Sequence, residues 1–223
     1  MIGQWQQRWR AYRNQQAAFV PFYRQWPLPL QQDYRQLPLL ALDLELTGLT
    51  PQQDQIIAIG AVAIDGGTID MASAIHVTVA IEGSVGDSAV VHGIRDHDLQ
   101  QAVPLPQALA QLLPLLSGRL LVCHHAPLDL AFLQQAFRQV YGQSLPLLAV
   151  DTLAIERRRL VRQSQPVGST QLQLAQCRHR YQLPAYSQHH ALVDAIACAE
   201  LLLAQASVIA GPQSLSAAAL LRY

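Results

Sequence analysis

Two acids stand two residues apart inside an otherwise apolar run, Asp43 and Glu45 in LLALDLEL (39–46). Side chains alternate along a strand, so both carboxylates project from one face of a sheet. Side by side in a buried strand they repel each other and lose hydration, and they stay ionised at low cost only with a cation between them. Hard oxygen ligands this close suit Mg²⁺ or Mn²⁺. The spacing alone is a weak signal, since one acid at a sheet edge gives the same pattern. Thr47, Gly48 and Leu49 follow as a turn whose amides and small glycine allow a ligand to come close.

Two further segments carry polar groups in apolar surroundings. In HHAPLDLAFL (124–133), Pro127 suits a first helical turn, which puts Asp129 near a helix start just past a strand end. Taken alone, Asp129 reads as an acid stabilising the N-terminal end of a helix dipole. In HHALVDAIACAELL (189–202), Asp194 lies in the first half of an Ala-rich helix. Helical geometry puts His190, four residues earlier, on the Asp194 face. His189 reaches that site only from the preceding loop, so the residues alone leave open which histidine belongs there.

The elements that must position these groups follow from the apolar pattern. LLALDLEL, IIAIGAVAI (56–64) and AIHVTVAI (74–81) read as strands, parted by turn residues at 48–54 and 65–70. Then come a helix at 105–116, a strand at 119–124, a helix from about 127 to 141 and a strand at 147–151. A helix through 162, helices at 170–181 and 190–206, and a short apolar tail complete the chain. Gln163 to Ser169 is polar, with Pro166 and Gly168, and reads as a mobile loop. Three strands followed by αβαβα is the order of a ribonuclease H-like fold, an α/β class with a mixed sheet and helices on both faces.

Residues 1–36 differ from the rest and are expected to form a helical arm, ahead of a catalytic domain at 37–223. They carry Arg8, Arg10, Arg13, Arg24 and Arg35 against one acid, Asp33. Trp5, Trp9, Tyr12, Phe19 and Tyr23 recur at helical spacing, before Pro27 and Pro29 break the pattern. Such a stripe could stack on a nucleic acid; the reading adopted is that it docks on the domain. Formal net charge is +0, which gives no global attraction to a polyanion or a membrane surface. Local patches must then supply it, such as Arg157, Arg158, Arg159 and Arg162, which read equally well as a solvated helix face. The three cysteines are scattered and read as reduced, buried thiols. The start MIGQWQQRWR has no apolar leader, and runs such as IIAIGAVAI are too short to span a bilayer, so a soluble cytoplasmic protein is expected.

Taken in order, DLELTGL (43–49), HHAPLDLAFL and HHALVDA (189–195) resemble the three motifs of the DEDDh exonucleases. The nearest resemblance is to the proofreading epsilon subunit of bacterial DNA polymerase III and its free-standing relatives. VHGIRDHDL (91–99) and QLAQCRHRYQLP (173–184) resemble further family segments, and the likeness covers roughly residues 38 to 206. It implies that Asp43, Glu45, Asp129 and Asp194 hold two divalent cations, Mg²⁺ or Mn²⁺. It also makes His189 the general base, since the family base lies five positions before the last aspartate. Thr47, Gly48, Leu49, Val91 and His92 would line the site of the terminal nucleotide, with Leu49 as an apolar surface against its base. Leu46, His125 and Leu128 depart from the commoner Thr, Asn and Phe of the family, which bears on pocket shape rather than on metal ligands.

The implied activity is 3′→5′ hydrolysis of single-stranded or frayed DNA, with release of nucleoside monophosphates. Two cations about 3.5–4 Å apart can serve both the attacking water and the leaving oxygen, and an imidazole can accept the proton. RNA trimming or oligoribonucleotide degradation is the alternative with the same chemistry. A non-catalytic nucleic-acid-binding module is the alternative of another class, against which the intact set of acids weighs. Nothing after Ala206 suggests a polymerase-binding segment, so a free-standing enzyme is expected.

Overall fold

The computed structural model describes residues 17–88, 93–187 and 189–222. A short helix α1 (Val20–Arg24) precedes three strands, β1 (Leu39–Leu46), β2 (Ile56–Asp65) and β3 (Thr68–Thr78). Then follow α2 (Leu105–Leu116), β4 (Leu120–Cys123), α3 (Ala126–Tyr141), β5 (Ala149–Asp151) and α4 (Thr152–Arg162). Helices α5 (Leu174–Arg180), α6 (Ala191–Ala210) and α7 (Ala217–Leu220) complete the order. One five-stranded sheet results, in the order β3-β2-β1-β4-β5. β2 runs antiparallel to β1 and β3, while β4 runs parallel to β1 and β5. This is the mixed ribonuclease H-like sheet that the element order implies.

Alternation along β1 divides the core. Leu40, Leu42 and Leu44 face a layer built from α2, α3 and Phe19 and Phe22 of the N-terminal segment. Leu39 and Ala41 face α6 with Ile155 of α4 and Ala217 and Leu220 of α7. Asp43 and Glu45 continue this second row, so the parity of the strand delivers both acids beneath α6. α6 is long and apolar enough to cross a membrane by length and composition. Its apolarity has another use here, because Ala195, Cys198, Ala199, Leu202 and Ala206 are buried against the sheet.

Several boundaries differ from expectation for local reasons. β3 begins at Thr68, because the turn is only Gly66-Gly67, both left-handed (φ 61° and 76°). Its first half is solvent-facing on this edge strand, which hides the apolar signal. The expected helix at 170–181 is a 3-10 turn at Thr170–Leu172 and then α5, broken at the extended Gln173. α6 runs on to Ala210, and the expected tail is docked through Leu215, Ala217 and Leu220.

Trp5, Trp9 and Tyr12, through which the arm was expected to dock, lie outside the described residues. Phe19, with no exposed surface, meets the ring of Phe137 edge-on at 5.9 Å and that of Tyr141 at 4.9 Å. Tyr34 and Ala217 donate backbone hydrogen bonds to Leu215 and Gln32, so the segment before β1 is joined to the last helix. Phe19→Ala is expected to cost about 3–5 kcal/mol of stability, read as the midpoint of denaturant unfolding. A loss below about 1 kcal/mol would mean that the segment merely rests on the surface.

Candidate active site

Asp43, Glu45 and Asp194 each offer a carboxylate oxygen, and these oxygens lie within 4.8 Å of one another. The first two come from the carboxyl end of β1 and the third from the first turn of α6. Asp129, in the first turn of α3, is buried outside that tight group but within electrostatic reach of Asp43. Four acids from three separate segments are thereby brought to one end of the sheet, where the parallel strands β1 and β4 both end.

Burial raises the pKa of every one of them, and repulsion by neighbouring acids adds to it at Asp43, Glu45 and Asp129. Asp43 is pushed well above the usual carboxylate range by burial, then by the charges of Asp129, Glu45 and Asp194. Burial and Asp194 push Glu45 up to about 7. Asp129 is raised by burial against the pull of the Cys123 hydrogen bond. Asp194 is raised by burial and partly restored by the His189 backbone N–H, which donates to its Oδ2 at 2.8 Å.

A second buried glutamate shows what is missing. Glu156 has no exposed surface, yet its Oε1 accepts from Arg159 and from Arg180 at 3.1 and 2.6 Å. Its Oε2 accepts from Tyr181 and from Gln205 at 3.0 and 3.4 Å. Glu45 is also buried, but among the described residues its Oε1 has no hydrogen-bond partner. A buried carboxylate lacking donors, among three others, fits a hard divalent cation. Asp43, Glu45 and Asp194 could share one directly, and Asp129 stands where it could join the set.

The two histidines are separated by the backbone. His189 is left-handed (φ 65°), and His190 is extended (φ −133°) as the N-cap of α6. His190 Nδ1 accepts from Val193 N–H at 3.5 Å, and its ring stacks on His76 with centroids 4.2 Å apart. So His190 is occupied at the helix start, whereas His189 is exposed and its backbone N–H donates to Asp194.

The loop after β1 is braced by an acid of its own. The space beside Gly48 is filled by the Asp54 carboxylate, which a Cβ at Gly48 would strike. That carboxylate accepts from Thr50 N–H at 2.8 Å and from the Thr47 hydroxyl at 3.4 Å, while the Thr47 oxygen accepts from Gln55 N–H. The absence of a side chain at Gly48 therefore makes room for the chain's own acid. Leu49 is left 75% exposed at the tip. Val91 and His92 lie outside the described residues.

Sequence reasoning passed over Asp151. Its Oδ1 accepts from His125 N–H at 3.1 Å and from Leu153 N–H at 3.0 Å. It thus pins the left-handed His125 (φ 98°), from which α3 and Asp129 start, to the start of α4. An aspartate between an apolar strand and a helix was the available signal. His124 is internal to this frame. Its Nε2–H donates to the Leu172 carbonyl at 2.8 Å, its Nδ1 lies 2.8 Å from the Thr152 hydroxyl, and burial lowers its pKa. Of the arginines after Asp151, Arg159 is spent on Glu156 and on the face of Tyr181, while Arg157 and Arg158 are exposed.

Residues 40–202 match the model of a family described as Exonuclease. A DNA polymerase III PolC-type of Thermotoga maritima is 31% identical over 165 residues, which are 74% of this chain and 11% of that protein. A DNA polymerase III subunit epsilon of Treponema pallidum is 29% identical over 163 residues, 72% of this chain and 73% of that one. The chain thus spans about a tenth of the PolC-type relative's length. Among solved structures, the nuclease domain of 3′hExo, a DEDDh family member bound to rAMP, shares the fold. Its TM-score is 0.64 at 16% identity, over 82% of this chain and 98% of that one.

Because the folded pKa of Glu45 is about 7 against an ordinary 4.5, the metal-free fold favours its protonated form. Its contribution to stability is present in full below pH 4.5 and is lost as pH rises through about 7. At pH 8 in chelator, Glu45→Gln is therefore expected to stabilise the chain, by about 1–3 kcal/mol. It should also remove most of the rise in Tm that Mg²⁺ or Mn²⁺ gives the unaltered protein, a rise that should grow from pH 6 to pH 8. Thermal unfolding with and without metal checks both signs. A destabilised variant that still responds fully to metal would contradict the assignment.

Proposed function

The chain belongs to the exonuclease family, and from that premise we propose that it is a metal-dependent 3′→5′ exonuclease acting on DNA ends. The observation that carries this reading is the convergence of Asp43, Glu45 and Asp194, together with a buried oxygen of Glu45 that has no hydrogen-bond partner among the described residues. We assign two divalent cations, Mg²⁺ or Mn²⁺, to these three carboxylates and Asp129. When bound, they supply positive charge for the phosphate and for the leaving 3′-oxygen.

The chain's own groups do the rest. His189 takes the proton of the attacking water; the new P–O bond forms as the bond to the 3′-oxygen of the preceding nucleotide breaks, and a nucleoside 5′-monophosphate leaves. Asp194 holds the His189 backbone through Oδ2, so a metal ligand and the base share one short segment. Leu49 offers an apolar surface to the terminal base, on a turn that Asp54 makes rigid. Thr47, Gly48, Val91 and His92 complete the nucleotide site by the family resemblance.

The names of the two sequence relatives support DNA as substrate and bring a polymerase assembly in as a partner to be tested. RNA is the second reading, favoured by the structural relative bound to rAMP. We place the protein in the cytoplasm, with nucleic-acid 3′ ends rather than a membrane as its partner.

Matched 5′-labelled single-stranded DNA, single-stranded RNA and duplex DNA, incubated with Mg²⁺ or Mn²⁺, test the reading. A ladder shortening from the 3′ end of DNA is expected, faster than on RNA, and chelator should abolish it. His189→Ala should reduce kcat on the order of 10²–10⁴-fold, and His190→Ala much less. If His190→Ala were the crippled variant, the base would be misassigned by one residue; if all three substrates survived intact, the nuclease reading would fail.

A further inference from the structure

We propose that His76, a residue outside the motifs, is a positioning residue for this reaction. It acts through His190 to hold the start of α6, so that His189 alone is free beside the carboxylates. The inference rests on the nuclease reading above. It begins with one row across the sheet, since Asp43 on β1 pairs with Gly60 on β2, and Gly60 pairs with His76 on β3. At the middle of this row there is no side chain. A Cβ on Gly60 would run into the backbone of Ala191 and Leu192, so the first turn of α6 is seated directly on β2. That seat leaves Asp43 on one side of the helix start and His76 on the other.

On the His76 side, the ring of His190 lies over that of His76, 4.2 Å away and 25° from parallel. Both residues are exposed, so burial does not demand this contact. The other hold on the His190 ring is the Val193 N–H at 3.5 Å, a long and weak hydrogen bond. The stack is therefore the principal constraint on the His190 ring, while its backbone carbonyl accepts from Asp194 N–H at 2.9 Å. It matters because the preceding residue is strained: a non-glycine at φ 65° is sterically disfavoured and persists only if its neighbours enforce it.

The neighbours enforce it from both directions. On the N-terminal side, Arg178 donates to the Pro184 carbonyl at 2.9 Å and to Glu200 at 2.6 Å, and the Tyr186 hydroxyl donates to Glu200 at 2.9 Å. That clasp fixes the loop before His189 to α5 and α6. On the C-terminal side, the His76–His190 stack does the same work. Without it, His190 can leave the sheet and the left-handed turn at His189 can relax, and with it the placement of the base.

Steady-state kinetics of the full chain on a single-stranded deoxyoligonucleotide, at saturating Mg²⁺, test the proposal. His76→Ala should lower kcat about tenfold with KM little changed, less than the 10²-fold that a 1 Å misplacement can cost. His76→Phe, which can still stack, should restore kcat to within about twofold, because the ring rather than the imidazole is required. In a His189→Ala background, His76→Ala should cost little more, since the two changes act on one group. An undiminished kcat in His76→Ala overturns the proposal, as does an equal loss with and without His189. Those results leave the nuclease reading standing if the unaltered chain is active and His189→Ala is crippled. A chain inert on DNA and RNA alike overturns both.

Discussion

Repulsion among Asp43, Glu45, Asp129 and Asp194 is the interaction around which the rest of this molecule is arranged. Each acid has its pKa raised, and burial is the first cause in every case. The chain is able to satisfy a buried carboxylate when nothing external is meant to, as the arginines, tyrosine and glutamine around Glu156 demonstrate. Glu45 lacks such a set. Two glutamates of similar burial thus divide by what surrounds them: one is sealed by the protein's own cations, the other is open to a cation from solution. An arginine at the second place would relieve the repulsion and occupy the position that a divalent ion needs.

Holding unwilling neighbours together requires backbone that cannot yield, and the four acids are held in two ways. Asp43 and Glu45 sit in β1, a central strand paired on both sides, with their positions set by register. Asp129 and Asp194 sit in the first turns of α3 and α6, so their positions depend on where each helix begins. Both beginnings are over-determined. α3 starts from a left-handed His125 held by Asp151, and α6 starts on the bare backbone of Gly60 beside the His76–His190 stack. A left-handed histidine precedes each of these two starts, His125 at α3 and His189 at α6.

Much of this was legible in the sequence, and the boundary of legibility has a physical meaning. The parity of Asp43 and Glu45, the helix start at Pro127 and the layered αβαβα order depend on local period and local propensity, which one segment reveals alone. The start of β3 was misplaced because an edge strand carries polar residues on its open half, so its apolar run is incomplete. α6 outlasted its expected end because an Ala-rich helix packed along its length has no stop signal until Gly211. Gly60 reads only as one more small residue in IIAIGAVAI; its purpose lies in Ala191, which is remote in sequence. His76 and Asp54 are silent for the same reason: each is an ordinary strand or turn residue until the fold supplies its partner.

That division also accounts for where the acids had to come from. A helix N-terminus contributes roughly half a positive charge, worth about 0.3–1 kcal/mol to a nearby anion and up to about 2 in partly buried sites. Asp129 and Asp194 have this help by virtue of their place in the first turn, and both remain raised above the ordinary range. Asp43 and Glu45, within a strand, have none. For Glu45, the rise from 4.5 to about 7 is on the order of 3 kcal/mol, more than a helix end can offset. Dipoles therefore bring two of the acids part of the way toward ionisation, and only a full charge can bring all four. The apolar layers on both faces of the sheet let the chain fold with that deficit, and the deficit is what the proposed cations would offset.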